Sequence, residues 1–458
     1  MRCAIAIGLA LGACGDAAPP RVVAHLAGEL VEGQGCGPDG CVAACAAAGC
    51  DDGRRPGLVV LDSDQPLTAA RAALVGADVP VTVELLAERA DGAVVRTALA
   101  VRIPVAVGLT ARTYPLALTV GGASGEATLT VDAIGLPELV IADGPAPADG
   151  RYSSIVLPTA IAARVTGAAP LRLEATGDIT LAGVADLGGD PIGPGPGGCA
   201  GAAPSTTASP CPPGGGLGAL LVYGGSGGYG TVGADSGEGD GTGGAVTGNP
   251  TAVPLGASAI LADDNRGHGG GAHGDSRGGH GGGAAYLGTA GKIAIGQYTQ
   301  LAARGGAPSH GSSAQEGGGG SGGALILAAG AGFTISPAAT TALDATGTRG
   351  GGAGRVRIDG PGPLPAATPA PWLGPRWVDA PLVLAAGAAL TLAVDPRATA
   401  PIAVVSGGAV IATCTPVTGA CTITPALAAG VTRLCALARA DADPTLPENR
   451  ACIDVARL

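Results

Sequence analysis

Residues 285–306 read AYLGTAGKIAIGQYTQLAARGG, and the pattern of apolar residues in this stretch returns elsewhere in the chain. Leu287 is followed six residues later by Ile293, and a second isoleucine comes two residues after that. Two other stretches share this spacing. They are LRLEATGDITLAGVADLGG (171–189) and LILAAGAGFTISPAATTALDATG (325–347). Self-similarity at a fixed spacing predicts a repeat architecture.

Each copy of the repeat contains two or three short strands separated by turns of small residues. The aligned apolar triplets are Leu173, Ile179 and Leu181; Leu287, Ile293 and Ile295; and Leu327, Phe333 and Ile335, with a further leucine at Leu187, Leu301 and Leu343. One copy cannot bury its apolar face alone, whereas stacked copies form parallel ladders around a shared core. The repeat therefore predicts a β-solenoid over residues 150–362, and this arrangement resembles a parallel β-helix.

Glycine-rich tracts lie between or within the copies. They occupy residues 188–218, 224–252, 265–283, 305–323 and 347–354. Insertions into a repeat leave the solenoid as loops on one face, and that face is often the binding face. Two interpretations of these tracts remain open. They are flexible polar loops, or they pack against each other as polyglycine helices and form a structural module.

Alternating apolar residues on either side of the repeat predict two β-sandwiches. In the first, Val81, Val83 and Leu85 point one way, and Asp91-Gly92 is a hairpin turn signal. Further alternating strands with turn residues between them extend this sandwich over residues 57–143. The segment PAPAD (145–149) then predicts a short linker.

The second sandwich follows the proline-rich segment PGPLPAATPAP (361–371), which predicts another linker. It spans residues 372–458 and includes a hairpin about Gly407-Gly408. Its pattern resembles that of bacterial immunoglobulin-like domains. The expected fold class is thus all-β, with a central solenoid. The first sandwich holds the solenoid away from the N-terminal anchor, and the second sandwich caps the solenoid.

The first residues, MRCAIAIGLALGACGD, predict an export signal. Arg2 supplies a positive charge, and residues 3–13 form an apolar run that is too short to span a bilayer. The motif Leu11-Gly12-Ala13-Cys14 resembles the lipobox of bacterial lipoproteins. That resemblance implies cleavage after residue 13, acylation of Cys14, a lipid-bilayer partner and, because Gly15 follows, the outer membrane. An ordinary secretory signal with a chance cysteine is the alternative.

Twelve cysteines support export. Ten of them lie outside the signal and the lipobox, since 12 − 2 = 10. The disulfide candidates are Cys36, Cys41, Cys45 and Cys50; Cys199 and Cys211; and Cys414, Cys421, Cys435 and Cys452. Local groups of even number indicate disulfides in an oxidising compartment. The first group lies in a tether, residues 14–56, and lacks the C-x2-C pairs of zinc ribbons, and its pairing stays open. In the last group one candidate pairing joins Cys435 to Cys452 across two strands and Cys414 to Cys421 around a loop.

The net charge of −11 argues against a nucleic-acid partner, because phosphates require a basic surface. Aromatic residues make up only 2% of the chain, so any core is built from Ala, Val, Leu and Ile. Composition and architecture together resemble glycine-rich envelope lipoproteins of high-GC bacteria.

Three of the chain's five histidines lie in the stretch GHGGGAHGDSRGGHGGG, residues 267–283. The candidate metal ligands are His268, His273, Asp275 and His280, with Asp263, Asp264 and His310 near them in sequence. Imidazoles and carboxylates bind zinc. The alternative is that these side chains decorate a solvated loop, because glycine costs the most entropy to order. A calcium site is a second candidate, in a tract that holds Asp235, Glu238 and Asp240.

No catalytic residue is predicted. Glu174, Asp178 and Asp186 share one coil without forming a carboxylate pair, and Lys292 is the only lysine. The phosphate-loop motif is absent from the sequence, and neither a nucleophile elbow nor a cofactor is expected. We therefore expect a non-catalytic envelope lipoprotein that serves in surface adhesion, glycan contact or envelope structure, with glycans or other surface proteins as partners. A carbohydrate-active enzyme on a parallel β-helix is the alternative, and stacked acids from successive coils would distinguish it.

Overall fold

The structure is a computed structural model, and it describes residues 21–27, 29–32, 55–103, 109–122, 125–159, 162–190, 192–204, 206, 210, 215–216, 227, 233–234, 243–244, 267–273, 275–309, 317–339, 342–437 and 444–458. These residues form β-strands and one short 3-10 helix, Pro447–Asn449. Nothing helical among them is long and apolar enough to cross a membrane. The all-β fold class, with solenoid-like parallel sheets, is confirmed.

The central part of the chain is a parallel β-solenoid. Its strands are β9 (Leu139–Val140), β10 (Gly144–Pro145), β11 (Gly150–Tyr152), β12 (Ile155–Leu157), β13 (Ala162–Thr166), β14 (Leu171–Ala175), β15 (Ile179–Leu181), β16 (Val184–Asp186), β17 (Ala284–Thr289), β18 (Lys292–Ile295), β19 (Gln300–Ala302), β20 (Ala324–Ala329), β21 (Gly332–Ile335), β22 (Leu343–Asp344), β23 (Arg355–Asp359), β24 (Ala367–Thr368) and β25 (Trp372–Leu373).

These strands stack into three parallel sheets, and each complete coil contributes one strand to every sheet. Sheet A is ordered β11-β14-β17-β20-β23-β25, sheet B is β9-β12-β15-β18-β21, and sheet C is β10-β13-β16-β19-β22-β24. The chain runs from sheet A to sheet B to sheet C and then starts the next coil. Parallel strands need such crossovers, and the coil supplies one at every turn.

The apolar triplets predicted from the sequence are in register. Leu173 pairs with Leu287, and Leu287 pairs with Leu327. The sheet B residues Ile179, Ile293 and Phe333 also follow one another in a column. All of these side chains are buried in one core that runs along the solenoid axis. Burial of each such side chain contributes roughly 1.5–3 kcal/mol.

One member of the predicted alignment is displaced. Leu301 pairs with Leu343 as expected, but its partner in the preceding coil is Ala185, not Leu187. The turn before β16 consists of Ala182 and Gly183, whereas four residues, 296–299, precede β19. The shorter turn brings β16 into the ladder two residues earlier. Leu187 remains buried and donates its amide to the carbonyl of Ala302.

The solenoid extends beyond the predicted residues 150–362 at both ends. Strand β10 includes Pro145, the first residue of the PAPAD segment, and pairs with β13. Strand β24 lies within the predicted proline-rich linker and pairs with β22, and β25 pairs with β23. Both linker predictions are therefore wrong at these strands. Proline is compatible with the ends and edges of a sheet, where no ladder hydrogen bond is lost.

The N-terminal part of the chain is a two-layer β-sandwich. Its strands are β1 (Val22–His25), β2 (Leu30–Val31), β3 (Gly57–Ser63), β4 (Leu67–Leu74), β5 (Thr82–Asp91), β6 (Val94–Arg102), β7 (Thr113–Gly122) and β8 (Gly125–Ile134). They form sheets of order β1-β3-β6-β5 and β2-β8-β7-β4 around a shared apolar core. The predicted hairpin at Asp91-Gly92 joins β5 to β6, and Gly92 adopts a φ of +63° there.

One expectation for this sandwich needs correction, and a second needs refinement. Strands β1 and β2 pair with β3 and β8, so part of the predicted tether belongs to the sandwich. Leu85 pairs with the core residue Leu99, as Val83 pairs with Val101, but it lies in an edge strand beside a register shift and 42% of its surface is exposed. The register of β5 shifts between Leu85 and Ala87, and a bulge of this kind turns the following side chains to the opposite face.

The C-terminal part is a second sandwich, with sheets of order β26-β27-β30 and β29-β28-β31-β32. Its strands are β26 (Arg376–Val378), β27 (Leu390–Ala393), β28 (Ile402–Ser406), β29 (Ala409–Cys414), β30 (Ala420–Ile423), β31 (Gly430–Leu437) and β32 (Arg450–Arg457). Gly407 and Gly408 form the predicted hairpin turn, both with positive φ. Both candidate disulfides of this region are present, Cys414–Cys421 with a Cα–Cα distance of 5.9 Å and Cys435–Cys452 with 4.0 Å.

The two sandwiches contact each other directly, so the second sandwich does not simply cap the far end of the solenoid. Leu58 and Val60 of β3 pack with Leu382 and Ala456 in one buried cluster. Arg55 donates hydrogen bonds to the carbonyls of Ala380 (2.5 Å) and Asp454 (2.8 Å). The second sandwich also contacts the last coil, where the Leu373 amide donates to the Asp395 carboxylate at 3.0 Å.

Candidate functional site

The long insertions of the solenoid all leave at the same corner, between sheet C and sheet A. They follow β16, β19 and β22, and each returns at the next strand of sheet A. Their described segments pack side by side into what we call the glycine array. It comprises residues 195–202, 267–272, 277–283, 303–309, 317–323 and 345–354. The prediction that the insertions lie together on one side of the repeat is confirmed for these segments.

Backbone hydrogen bonds between these segments recur every third residue. Gly279 donates to Gly318, and Gly282 donates to Ser321, both at 2.9 Å. Four further pairs of donors, with their acceptors in parentheses, keep this interval. They are Cys199 (Gly267) and Ala202 (Gly270); Gly318 (Gly271) and Ser321 (His268); Gly306 (His280) and Ser309 (Arg277); and Gly320 (Gly306) and Gly323 (Ala303).

An interval of three is the signature of an extended helix of the polyproline II type. Such a helix has three residues per turn, a rise of about 3.1 Å and no internal hydrogen bonds, so its amides are free to bond neighbouring chains. A segment of seven residues such as 317–323 therefore extends the array by roughly 20 Å from the solenoid corner. The array continues the hydrogen-bonded layers of the solenoid in a different backbone conformation.

The array requires glycine because the segments approach too closely for side chains. A Cβ atom on Gly279 would lie 2.1 Å from the carbonyl oxygen of Gly306, and one on Gly320 would lie 1.9 Å from that of His280. In the same way, a Cβ atom on Gly282 would lie 2.1 Å from a backbone carbonyl oxygen, and one on Gly281 would lie 1.9 Å from another. The described tracts are thus packed segments, which is the second interpretation of the sequence. The interpretation as flexible loops is wrong for these residues.

The histidines of this region are buried in the array, so they do not decorate a solvated loop. His268 is fully buried, and His273 and His280 are each 5% exposed. Within the described part of the chain no three His, Cys, Asp or Glu side chains lie close enough together to hold a metal ion. The predicted ligands His268, His273, Asp275 and His280 do not form such a cluster, while Asp263, Asp264 and His310 lie outside the described residues.

The His280 ring is instead part of the array's hydrogen bonding. The amide of Gly201 donates to its Nδ1 atom at 3.0 Å, across 79 residues of sequence. Burial, together with the positive charges of Arg277 and Arg164, lowers the pKa of His280 below its ordinary value, although Asp190 acts in the opposite direction. The ring is therefore neutral at pH 7. Because Nδ1 accepts a hydrogen bond, the proton of the neutral ring lies on Nε2.

A groove of about 360 Å³ opens beside this ring, between the segment that follows Cys199 and the segment that ends at Gly283. Its lining residues are Ala200, Gly201, Ala203, Thr206, Pro210, Arg277 and His280. Pockets for small ligands occupy about 300–1,000 Å³, so the groove is at the small end of that range. Apolar walls with a few convergent polar groups are typical of a binding site.

Hydrogen bonds around Ser276 and Ser309 hold Arg277 in place beside the groove. The amide and carbonyl groups of His273 and Ser276 bond each other, and Ser276 Oγ donates to the Ser309 carbonyl at 2.6 Å. The Arg277 amide donates to Ser309 Oγ at 2.8 Å. These contacts fix the backbone of Arg277, which is one of the residues that line the groove.

The solenoid itself does not stack acids on neighbouring coils within its paired strands. Asp186 pairs with Arg164 on one side and with Ala302 on the other. Asp344 accepts a hydrogen bond from Arg304 at 2.5 Å. Burial raises the pKa of Asp344, but the hydrogen bonds from Thr346 and Arg304 outweigh this effect and lower it overall. Both carboxylates form ion pairs with arginines, and the lowered pKa of Asp344 is the opposite of the raised pKa that a glycosidase acid needs.

Several predicted sites lie outside the described residues. They are the lipidation site Cys14, the cysteines Cys36, Cys41, Cys45, Cys50 and Cys211, and the calcium candidates Asp235, Glu238 and Asp240. Cys199 is described, buried and disulfide-bonded. These predictions, apart from the bonded state of Cys199, stay predictions.

Sequence reasoning missed Arg277 and the groove. A signal is present in HGDSRGGHGGG, where a single arginine stands between two histidines, but the metal-site prediction uses only the histidines and acids of this stretch. The opposite wall, near Thr206, is distant in sequence and carries no motif.

Comparison with protein-family models, with curated proteins and with solved structures finds no match. Any statement of function therefore depends on the sequence and the geometry of this chain.

Proposed function

We propose that this protein is a non-catalytic lipoprotein of the cell envelope that uses its glycine array as a rigid surface for contact with glycans or other surface molecules. The observation that carries this proposal is the array itself. Segments that leave one corner of the solenoid are bonded to each other every third residue, as between Gly279 and Gly318. An array of this kind holds its turns in fixed positions, and preorganised surfaces bind with a smaller loss of conformational entropy.

The anchoring part of the proposal depends on the resemblance to a lipobox at Cys14. Each buried methylene of an acyl chain contributes about 0.8 kcal/mol, and stable anchoring takes more than one chain. The disulfides Cys414–Cys421 and Cys435–Cys452 are consistent with export, because disulfides persist in oxidising compartments.

Protease treatment of intact cells tests the location. We expect external protease to remove the wild-type protein and Cys14→Ala to leave the membrane fraction. Protection of a membrane-bound wild type would place the protein on the periplasmic face and would overturn contact with other cells. Retention of Cys14→Ala in the membrane would overturn lipid anchoring.

Binding to polysaccharides tests the contact function. The full chain carrying Cys14→Ala, purified in soluble form, is incubated with a panel of neutral and acidic polysaccharides, and co-sedimentation is measured. We expect saturable binding to at least one polymer without any change in its length. Release of new reducing ends or of unsaturated sugar products would instead favour the carbohydrate-active enzyme, and absence of binding would overturn glycan contact.

A further inference from the structure

The groove beside Arg277 and His280 has a charge that differs from that of the molecule as a whole. The chain has a net charge of −11, yet among the described residues that line the groove the charged one is Arg277. The neighbouring arginines are neutralised, since Arg164 pairs with Asp186 at 2.7 Å and with Asp190 at 3.0 Å. Among the described residues no carboxylate forms an ion pair with Arg277. The groove therefore attracts an anion and repels a metal cation.

The chemistry of Arg277 favours an oxyanion. A guanidinium offers planar, paired N–H donors that match the two oxygens of a carboxylate, and such charge-assisted hydrogen bonds are about twice as strong as neutral ones. The side chain is half-buried, so an ion pair formed there is screened less by salt than one at an open surface.

His280 adds a second donor that is uncharged. Its Nδ1 atom is occupied by the Gly201 amide at 3.0 Å, so the proton lies on Nε2. That Nε2 atom is buried and has no hydrogen-bond partner among the described residues. A buried donor without a partner costs about 1–3 kcal/mol. His280 lines the groove, so a ligand oxygen that reached Nε2 would satisfy this donor.

The remaining walls suit a small ligand that carries hydroxyl groups. The Thr206 hydroxyl donates to the Ala203 carbonyl at 2.6 Å, so its lone pairs are left to accept a hydrogen bond from a ligand hydroxyl. Ala203 and Pro210 supply short apolar walls without aromatic side chains. The combination of oxyanion donors with a hydroxyl acceptor in about 360 Å³ matches an acidic sugar.

We infer that this groove binds the carboxylate-bearing sugar unit of an acidic polysaccharide, with Arg277 on the carboxylate, His280 as a second donor and Thr206 on a sugar hydroxyl. This inference rests on the proposed glycan contact and adds the class of sugar to it. No covalent step is involved.

Calorimetric titration of the full Cys14→Ala chain tests the inference, with glucuronate, glucose, acetate and inorganic phosphate as separate probes. We expect glucuronate to bind with a Kd near or below about 1 mM, and glucose, which lacks the charge, to bind at least roughly tenfold more weakly. Acetate and phosphate separate a sugar site from a general anion site. Phosphate or acetate that binds as tightly as glucuronate would overturn the assignment to a sugar.

Variants locate the binding. Arg277→Gln is expected to weaken glucuronate binding by about tenfold or more, because the charge-assisted bonds are lost. His280→Asn keeps an acceptor for the Gly201 amide and is expected to weaken binding by a smaller factor. Arg349→Gln removes a charge from another turn of the array and serves as the matched control. Equal affinity for glucuronate in the wild type and in Arg277→Gln would overturn the inference.

Failure of this inference is distinguishable from failure of the proposed function. If the wild type and Arg277→Gln bind acidic polysaccharides equally well, the array still contacts glycans and only the groove assignment is wrong. If the wild type binds no polysaccharide in the co-sedimentation assay, the glycan contact itself is wrong.

Discussion

At the scale of single residues, the glycine array depends on positions where one added carbon has no space. Glycine loses more conformational entropy on folding than any other residue, and this loss opposes order in a glycine-rich segment. Here it is offset by interlocking backbone hydrogen bonds, each of which contributes about 0.5–1.5 kcal/mol net. The close approach that makes these bonds also excludes side chains at the glycine positions where the segments touch.

Gly320→Ala tests this explanation. The new Cβ would lie 1.9 Å from the carbonyl oxygen of His280, which is backbone and cannot rotate away. Overpacking of a tight site costs roughly 1–3 kcal/mol or more, so we expect a lower midpoint of unfolding and faster proteolysis within the array. The matched control is Gly193→Ala, since a Cβ at Gly193 meets nothing within 4 Å. Equal stability of the two variants would contradict close packing at Gly320.

The stability of the array depends on pH through His280, and the surroundings of the ring determine the direction of this dependence. Burial first, and then the charges of Arg277 and Arg164, lower the pKa of this ring in the folded state. The unfolded chain, with an ordinary pKa of about 6.5, therefore binds a proton more readily than the folded chain. We expect the stability contributed by neutral His280 to be complete above about pH 6.5 and to be lost as the pH falls toward the folded-state pKa.

Chemical denaturation at several pH values between about 7.5 and 5 measures this effect. We expect the free energy of unfolding of His280→Asn to fall less over this range than that of the wild type, because the variant has no ring to protonate. Parallel curves for the two proteins would show that His280 does not titrate with folding.

At the scale of elements, the solenoid is a set of columns in which each coil supplies one apolar side chain. Ile293 lies between Ile179 and Phe333, and it is fully buried. Its neighbour Ala294 points outward, between Thr180 and Thr334. Strand periodicity thus separates the two residues by face although they are adjacent in sequence.

Ile293→Ala is expected to lower the free energy of unfolding by about 2–5 kcal/mol, because it leaves a cavity in a core shared by several coils. Ala294→Ser, the control on the opposite face, is expected to change it by no more than about 0.5 kcal/mol. Denaturant unfolding followed by circular dichroism measures both. A cost for Ala294→Ser as large as that for Ile293→Ala would show that the register is wrong by one residue.

The solenoid could be predicted from the sequence because apolar side chains such as Leu287 and Leu327 recur at a fixed spacing. Sequence reasoning failed at Leu187, because the length of a turn between two strands has no apolar signal. It did not decide whether the glycine tracts are flexible loops or packed segments, because glycine has no side chain that could specify which tract bonds to which. The groove was not predictable, because Arg277 and Thr206 are brought together only by the pairing of those tracts.

At the scale of the whole molecule, the C-terminal sandwich packs against the N-terminal sandwich. The second sandwich packs on the first through Leu58, Val60, Leu382 and Ala456. Arg55 crosses the same boundary and donates to carbonyls of the second sandwich. Burial lowers the pKa of Arg55 to about 10, while Asp454 acts in the opposite direction, so this guanidinium stays charged at neutral pH. The two sandwiches therefore stabilise each other through this contact, although the whole solenoid separates them in sequence.

The buried contact between the two sandwiches predicts that they unfold together. Leu382→Asp places a charge in the buried cluster between them, where Leu382 is only 7% exposed. A buried charge without a partner is strongly unfavourable, so we expect the contact to separate and the calorimetric transition to split or broaden. Leu364→Asp makes the same change at a leucine that is 46% exposed, and it is expected to leave a single transition at the wild-type temperature. If Leu382→Asp also unfolds in one transition at the wild-type temperature, the buried cluster adds no measurable stability, and the contact between the sandwiches is not what holds the ends of the chain together.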